Sequence, residues 1–362
     1  MITIHSRLLP FAALCALALS TQAQAGWDAT LSRAVPLDSS IATAPVPAGQ
    51  RMRVLVSLKM QNADALKQYI MAAHTPGNPV YGHFLTPAQY TAGYAPSAAQ
   101  AQKVVYYLRA QGFDQVTLAG NRMLVSALGT AAQVQAAFNT RLAQFSSAGK
   151  SYYANVTDAQ VPDTLGGVVL AVIGVKNTFQ MKTHLQQQAE SHPQVPYTRE
   201  YSARLKSATD AGSITMVSSF PPSAWDIAYD AGDTPDGSNT TIAISTAGDD
   251  VTQVIKDLRQ MEREQKLPFV PVEVRITTPL ADPQDTSGDG EWSLDSQSST
   301  AIARNVKKLI FYTVDTTVDL LSTYNEFATR ADAQAGNMSY GACDITDPYV
   351  GATGGVLPEL PD

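Results

Sequence analysis

Hydrophobic and polar positions along the chain fall into two regular stretches with an irregular one between them. In the first, from Arg53 to about Lys176, Val54-Leu55-Val56-Ser57-Leu58 reads as a β-strand. Asn62 is placed to cap a helix running to Ala73, with Leu66, Tyr69 and Ile70 on one face. Thr75-Pro76-Gly77-Asn78-Pro79 is a turn cluster. A second helix is predicted from about Ser97 to Gln111, with Val104, Val105 and Leu108 as its stripe and Gly112 as its stop. Strands near Val116–Leu118, Met123–Leu128 and Leu142–Phe145, with a helix near Ala131–Phe138, complete an α+β pattern.

From about Asn177 to Met216 the periodicity fails. Gln186-Gln187-Gln188, Ser191, Pro193 and Pro196 give this stretch the composition of a linker, the kind of segment where proteolytic nicking concentrates. Regular pattern returns near Phe220. Thr241–Ile244 is a short apolar strand, and a helix bearing Val251, Val254, Ile255 and Leu258 follows, with Asp249 or Asp250 as its cap. Next come a strand at Val272–Ile276, a helix around Glu291, a strand at Leu309–Tyr312 and a helix near Val318–Arg330. This strand–helix alternation points to a parallel α/β sheet, whose sites lie at the carboxyl ends of its strands.

Composition narrows the function. Lys plus Arg is 25 and Asp plus Glu is 32, for a net charge of −7 and no basic stripe, which argues against a nucleic-acid partner. With 44% hydrophobic residues and only 16% charged, the chain is not disordered wholesale. The apolar run Leu8–Leu19 follows Arg7 and ends near Ala23-Gln24-Ala25, the layout of a secretory signal peptide at residues 1–25. That predicts secretion, extracellular or periplasmic, with no membrane association after cleavage. Of two cysteines, Cys15 leaves with the signal, so the exported chain carries Cys343 alone.

The richest segment for chemistry is Asp285 to Asp295. Asp285, Ser287, Asp289 and Gly290 mimic an EF-hand loop, but its twelfth position holds Ser296 in place of a bidentate Glu. Glu291 and Asp295 are four apart, which on a helix puts both carboxylates on one face, able to share a proton and act as a general base in acid. The helix macrodipole alone also favours acids in a first turn. The five histidines all precede the second patterned stretch, which leaves a Ser-His-Asp triad there without its base. Gly336 to Gly341 is similar to a nucleophile elbow, but Asn337 stands where its first Gly is required. Phosphate-loop, zinc-cluster and dinucleotide motifs are absent from the sequence.

Two regions resemble the sedolisin family of serine-carboxyl peptidases. Val54–Leu58, Tyr81-Gly82-His83-Phe84-Leu85-Thr86, Ala137-Phe138-Asn139-Thr140, Val161-Pro162 and Val172-Ile173-Gly174-Val175 are similar to its kumamolisin-type activation prodomain. Pro222 and Tyr229, Thr241–Ile244, Gly290-Glu291-Trp292-Ser293-Leu294-Asp295 and Ser339-Tyr340-Gly341 are similar to the start of its catalytic domain.

The resemblance implies a ferredoxin-like α+β prodomain at 26–176, a processing linker at 177–216 and, from 217 to 362, the N-terminal part of a subtilisin-like α/β parallel-sheet peptidase domain. It further implies that Glu291 is the general base, that Asp295 orients it, and that Ser339, Tyr340 and Gly341 bind substrate. Protein or peptide substrates follow, with the prodomain packed on its own peptidase domain. Ser296-Gln297-Ser298-Ser299 and Ala303-Arg304 depart from the apolar run and Ala-Pro pair that usually follow the acid motif. The family's Gly-Thr-Ser nucleophile motif and its oxyanion Asp segment do not occur in the sequence. The family's calcium site would lie past residue 362, so no cofactor is expected within the chain.

The expectation is therefore a secreted, acid-acting serine-type endopeptidase precursor, truncated before its nucleophile and inactive as written. The alternative is a non-catalytic prodomain, an inhibitor or folding chaperone, with a vestigial peptidase tail.

Overall fold

A computed structural model describes residues 26–147, 149–178, 182–185, 227–279, 284–315 and 320–341. The expected signal peptide, Cys15, Pro222, Cys343 and most of the expected linker lie outside the described residues.

The first unit runs through β1 (Trp27–Ala29), β2 (Thr43–Pro45), β3 (Arg51–Leu58), α1 (Ala63–His74), α2 (Pro87–Gly93), α3 (Ala98–Ala110), β4 (Asp114–Leu118), β5 (Leu124–Thr130) and α4 (Ala131–Ala137). It closes with β6 (Leu142–Ser147), β7 (Lys150–Asn155), β8 (Gln160–Pro162), α5 (Asp163–Gly166) and β9 (Val169–Ile173). Its main sheet has the order β4-β5-β3-β9, with every neighbour antiparallel. Val54, Val56 and Leu58 alternate into its core and meet Val104, Val105 and Leu108 of α3 and Val134 and Phe138 beside α4.

The helices start where the sequence supplies a capping box. Ser97 accepts from the backbone N–H of Gln100 at 3.2 Å, and Gln100 accepts from that of Ser97 at 2.9 Å. Thr86 with Gln89 and Thr130 with Gln133 repeat the device. Gly112, at φ +83°, ends α3 in the left-handed region.

Two local expectations fail. Asn62 makes no cap bond for α1; it sits in the left-handed region, and its amide donates to the Gly93 carbonyl at 3.0 Å, tying α1 to the end of α2. Ile70 is 48% exposed, off the buried face.

The second unit contains β10 (Lys182–Thr183), a 3₁₀ turn (Gly237–Asn239), β11 (Thr241–Ala247), α6 (Thr252–Glu264), β12 (Val272–Ile276), α7 (Asp289–Ala303), β13 (Lys308–Val314), α8 (Leu320–Arg330), β14 (Ala335–Asn337) and β15 (Tyr340–Gly341). The order β12-β13-β11-β14 is parallel throughout. Leu309 to Tyr312 is fully buried because helices cover both faces, as a parallel sheet requires. Ile242, Ile244, Leu309 and Phe311 pack with α6 and α7, while Ala243, Ile310 and Tyr312 pack under Phe327 of α8.

Neither Asp249 nor Asp250 is the N-cap of α6. Val251 holds that position at φ 55°, and the two acids accept from Val251 and Thr252 N–H in the turn before it. The units meet where the Asn121 amide donates to Asn325 at 2.7 Å, beside an apolar cleft of about 490 Å³ lined by Leu66, Tyr69, Phe84, Tyr90, Met123 and Ala328.

Candidate active site

Strand β11 delivers the chain at its carboxyl end to Gly248 and the buried Asp249, and α7 begins beside it. Gly288 makes that start: a Cβ there would lie 2.5 Å from the Trp292 indole nitrogen, so only glycine lets Trp292 fold back into the core. With Trp292 1% exposed as the anchor, the helix turns Glu291 inward, where it is 4% exposed, and Asp295 follows one turn later. The Ser296–Ser299 run does not unseat this helix. Ser296, Ser299 and Thr300 return their hydroxyls to carbonyls three or four residues back, which lets small polar residues be buried there.

Around the dyad, Ser339 donates to Asp295 Oδ1 at 2.9 Å, and the Asn337 amide donates to Ser339 Oγ at 3.2 Å. Burial raises the Asp295 carboxyl above its ordinary value, and the charge of Glu291 pushes the same way; Ser339, Asn337 and His184 oppose them. Among the described residues, Asp295 Oδ2 is buried without a hydrogen-bond partner. Tyr340 packs against Trp292 as a tilted pair with ring centroids 5.0 Å apart, and among the described residues its buried hydroxyl also lacks a partner. That hydroxyl is driven far above its ordinary pKa, first by burial and then by Tyr324, Asp295 and Glu291. The structure thus brings Glu291, Asp295, Ser339 and Tyr340 together, with Gly341 next in β15. Tyr229, from the same resemblance, stands 74% exposed.

Three features escaped the sequence pattern. The first is β10, inside the stretch expected to be a linker. It pairs antiparallel with β15, Lys182 opposite Gly341 and Thr183 opposite Tyr340. The N–H of Leu185 then donates to Glu291 Oε2 at 2.8 Å, and the Leu185 side chain lies over Gly290. The second is His184, brought back to the dyad by that strand after the sequence had placed every histidine upstream. Two strand residues are too few for a periodic signal.

The third is the pairing of Asp289 with the buried Asp249. Burial, and then Asp249 itself, lift the Asp289 carboxyl to about 7. The EF-hand likeness dissolves in the same place: Asp289 and Gly290 belong to α7, and Asp285 accepts from Ser287 N–H. Among the described residues no group of three His, Cys, Asp or Glu side chains is arranged to hold a metal.

Residues 38–178 match the family described as Pro-kumamolisin, activation domain. The chain is 34% identical over 304 residues to sedolisin of Pseudomonas sp. (strain 101), covering 82% of this chain and 49% of that one. It is 32% identical over 319 residues to xanthomonalisin of Xanthomonas sp. (strain T-22), covering 84% and 37%. To kumamolisin of Bacillus sp. (strain MN-32) it is 25% identical over 287 residues, covering 77% and 48%. The chain therefore spans about half the length, or less, of these curated relatives. Among solved structures it is similar to Pseudomonas sedolisin (serine-carboxyl proteinase) complexed with two molecules of pseudo-iodotyrostatin, at 32% identity and a TM-score of 0.30, over 32% of this chain and 33% of that one.

Proposed function

Because the chain belongs with the sedolisins and carries a Pro-kumamolisin activation domain at residues 38–178, we propose that it is the precursor of a secreted, acid-acting serine-carboxyl peptidase. Glu291 serves as general base and then general acid, Asp295 orients it, and the Ser339-Tyr340-Gly341 edge takes a substrate backbone as an added strand. The observation that supports this most is the contact at Glu291. Its buried carboxyl accepts a backbone N–H at 2.8 Å from Leu185, in the helical turn that follows the strand paired with β15. In that arrangement residues 26–176 are the inhibitory prodomain and 177–216 the processing linker. The order β4-β5-β3-β9, with α3 and α4 on the crossovers, supports a ferredoxin-like prodomain. The parallel sheet ending at the dyad supports a subtilisin-like peptidase part. Residues 1–25 act as the export signal.

The chemistry asks little else of these residues. A serine hydroxyl attacks the peptide carbonyl, Glu291 accepts its proton and passes it to the leaving amine, and Asp295 holds the carboxyl in place. One observation favours a second reading, an inhibitor or folding chaperone: the Gly-Thr-Ser tripeptide does not occur in the sequence. Incubating the full precursor, expressed together with its catalytic serine, with denatured protein substrate at acid pH separates the two. Turnover supports the peptidase; no turnover together with tight inhibition of a mature sedolisin supports the inhibitor.

A further inference from the structure

We infer that Asn337 is a positioning residue of the acid dyad: it fixes the Ser339 hydroxyl as a donor to Asp295 and so decides which Asp295 oxygen carries a proton. The inference rests on the peptidase reading of the same site. Asn337 is the last residue of β14, opposite Ile244 of β11, and Ile244 belongs to the core that includes Trp292 of α7. Residues paired across parallel strands share a face, so Asn337 lies on the side of the sheet where α7 carries the dyad. The residue that breaks the likeness to a nucleophile elbow therefore has a task of its own.

A hydroxyl has one hydrogen to give and two lone pairs to receive with. The Asn337 amide donates to Ser339 Oγ at 3.2 Å, and Ser339 donates to Asp295 Oδ1 at 2.9 Å. With its oxygen already receiving from the amide, Ser339 turns its single hydrogen to Asp295, and Oδ1 becomes an acceptor. A proton on Asp295 is then left Oδ2, which among the described residues is buried without a partner. The other groups that face Asp295 are Glu291 one turn earlier on α7, His184 from the turn after β10, and Tyr340 of β15. Burial is the largest influence on the Asp295 carboxyl and raises it; Ser339 and Asn337 lower it, Glu291 raises it and His184 lowers it. Ser339 and Asn337 act through hydrogen bonds, which single out one oxygen. Glu291 and His184 act through charge, which both oxygens feel.

The test takes the precursor in full, expressed together with its catalytic serine and processed, and measures kcat and KM on a denatured protein across acid pH. Wild type, Asn337→Ala and Asn337→Asp are compared. Asn337→Asp keeps the size of the side chain and removes the donor, so it carries the test should the alanine variant fail to fold. In both variants kcat should fall roughly 3–10-fold, as the loss of one hydrogen bond allows, with KM within about twofold of the wild type. The acid limb of the kcat profile should move up by about half a unit to one unit, because the lost donor favoured the ionised form that the dyad needs as a base. In a Ser339→Ala background, Asn337→Ala should cost less than it does in the wild type, since its route to Asp295 is already cut. An unmoved acid limb, or an equal cost in both backgrounds, overturns the inference and leaves the peptidase reading standing. No turnover by the wild type overturns both.

Discussion

Asp295 is pulled in two directions, and the side chains responsible can be removed one at a time. Burial and Glu291 favour its neutral form, while the hydroxyl of Ser339 stabilises the carboxylate by donating to it. Ser339→Ala deletes a lowering influence, so the Asp295 carboxyl should titrate at higher pH than in the wild type. Carboxyl-carbon NMR of the two proteins measures this directly, and an unchanged midpoint would break the assignment of that contact.

Asp289 poses the opposite question, one of stability. Its folded value of about 7 lies above the ordinary 3.8, with Asp249, Asp257 and Asp285 as the neighbouring acids. Between those values the native state holds a proton that the unfolded chain has released, so stability is present at low pH and falls as pH rises towards 7. Thermal melts from acid to neutral pH should show that decline in the wild type. Asp289→Asn, which needs no proton, should flatten it.

At the level of elements, α7 decides whether the site exists. Trp292 is the peg, and the missing side chain of Gly288 leaves the space into which its ring folds back. Gly288→Ala puts a methyl against a rigid buried indole and should cost about 1–3 kcal/mol, the usual range for overpacking. A lower urea midpoint with an altered near-ultraviolet spectrum checks it.

The same helix shows how far pattern carries. Glu291 and Asp295 were legible because spacing by four survives folding unchanged. The burial of Ser296 and Thr300 was not, since hydroxyls that bond their own helix look like surface residues in sequence. α2 is not legible in the pattern although Thr86-Pro87 with Gln89 carries its start signals, because no apolar stripe follows them. Asn62 and Asp250 looked like caps, yet tertiary contact drew one to Gly93, and a left-handed Val251 displaced the other. The parallel strands β11 and β13 read clearly, as runs buried on both faces do.

For the molecule as a whole, the two units are built differently. Residues 26–178 carry a contiguous core of their own, in which β3 is paired on both sides. A fragment of those residues should fold alone, with a cooperative thermal transition by circular dichroism; a featureless melt would contradict that independence. The second unit draws part of its site from the segment that follows the first, since β10 reaches β15 and Leu185 reaches Glu291. This join was invisible in the sequence: composition marked the stretch as linker, and only a folded partner strand gives two residues a place.

The central claim is that Glu291 is the proton-transfer group of an acid peptidase, and Glu291→Gln tests it most directly. In the serine-containing precursor, after processing, kcat/KM on a denatured protein at acid pH should fall by roughly 10²–10⁴ while the circular dichroism spectrum stays unchanged. Wild-type kcat/KM in that variant would contradict the account.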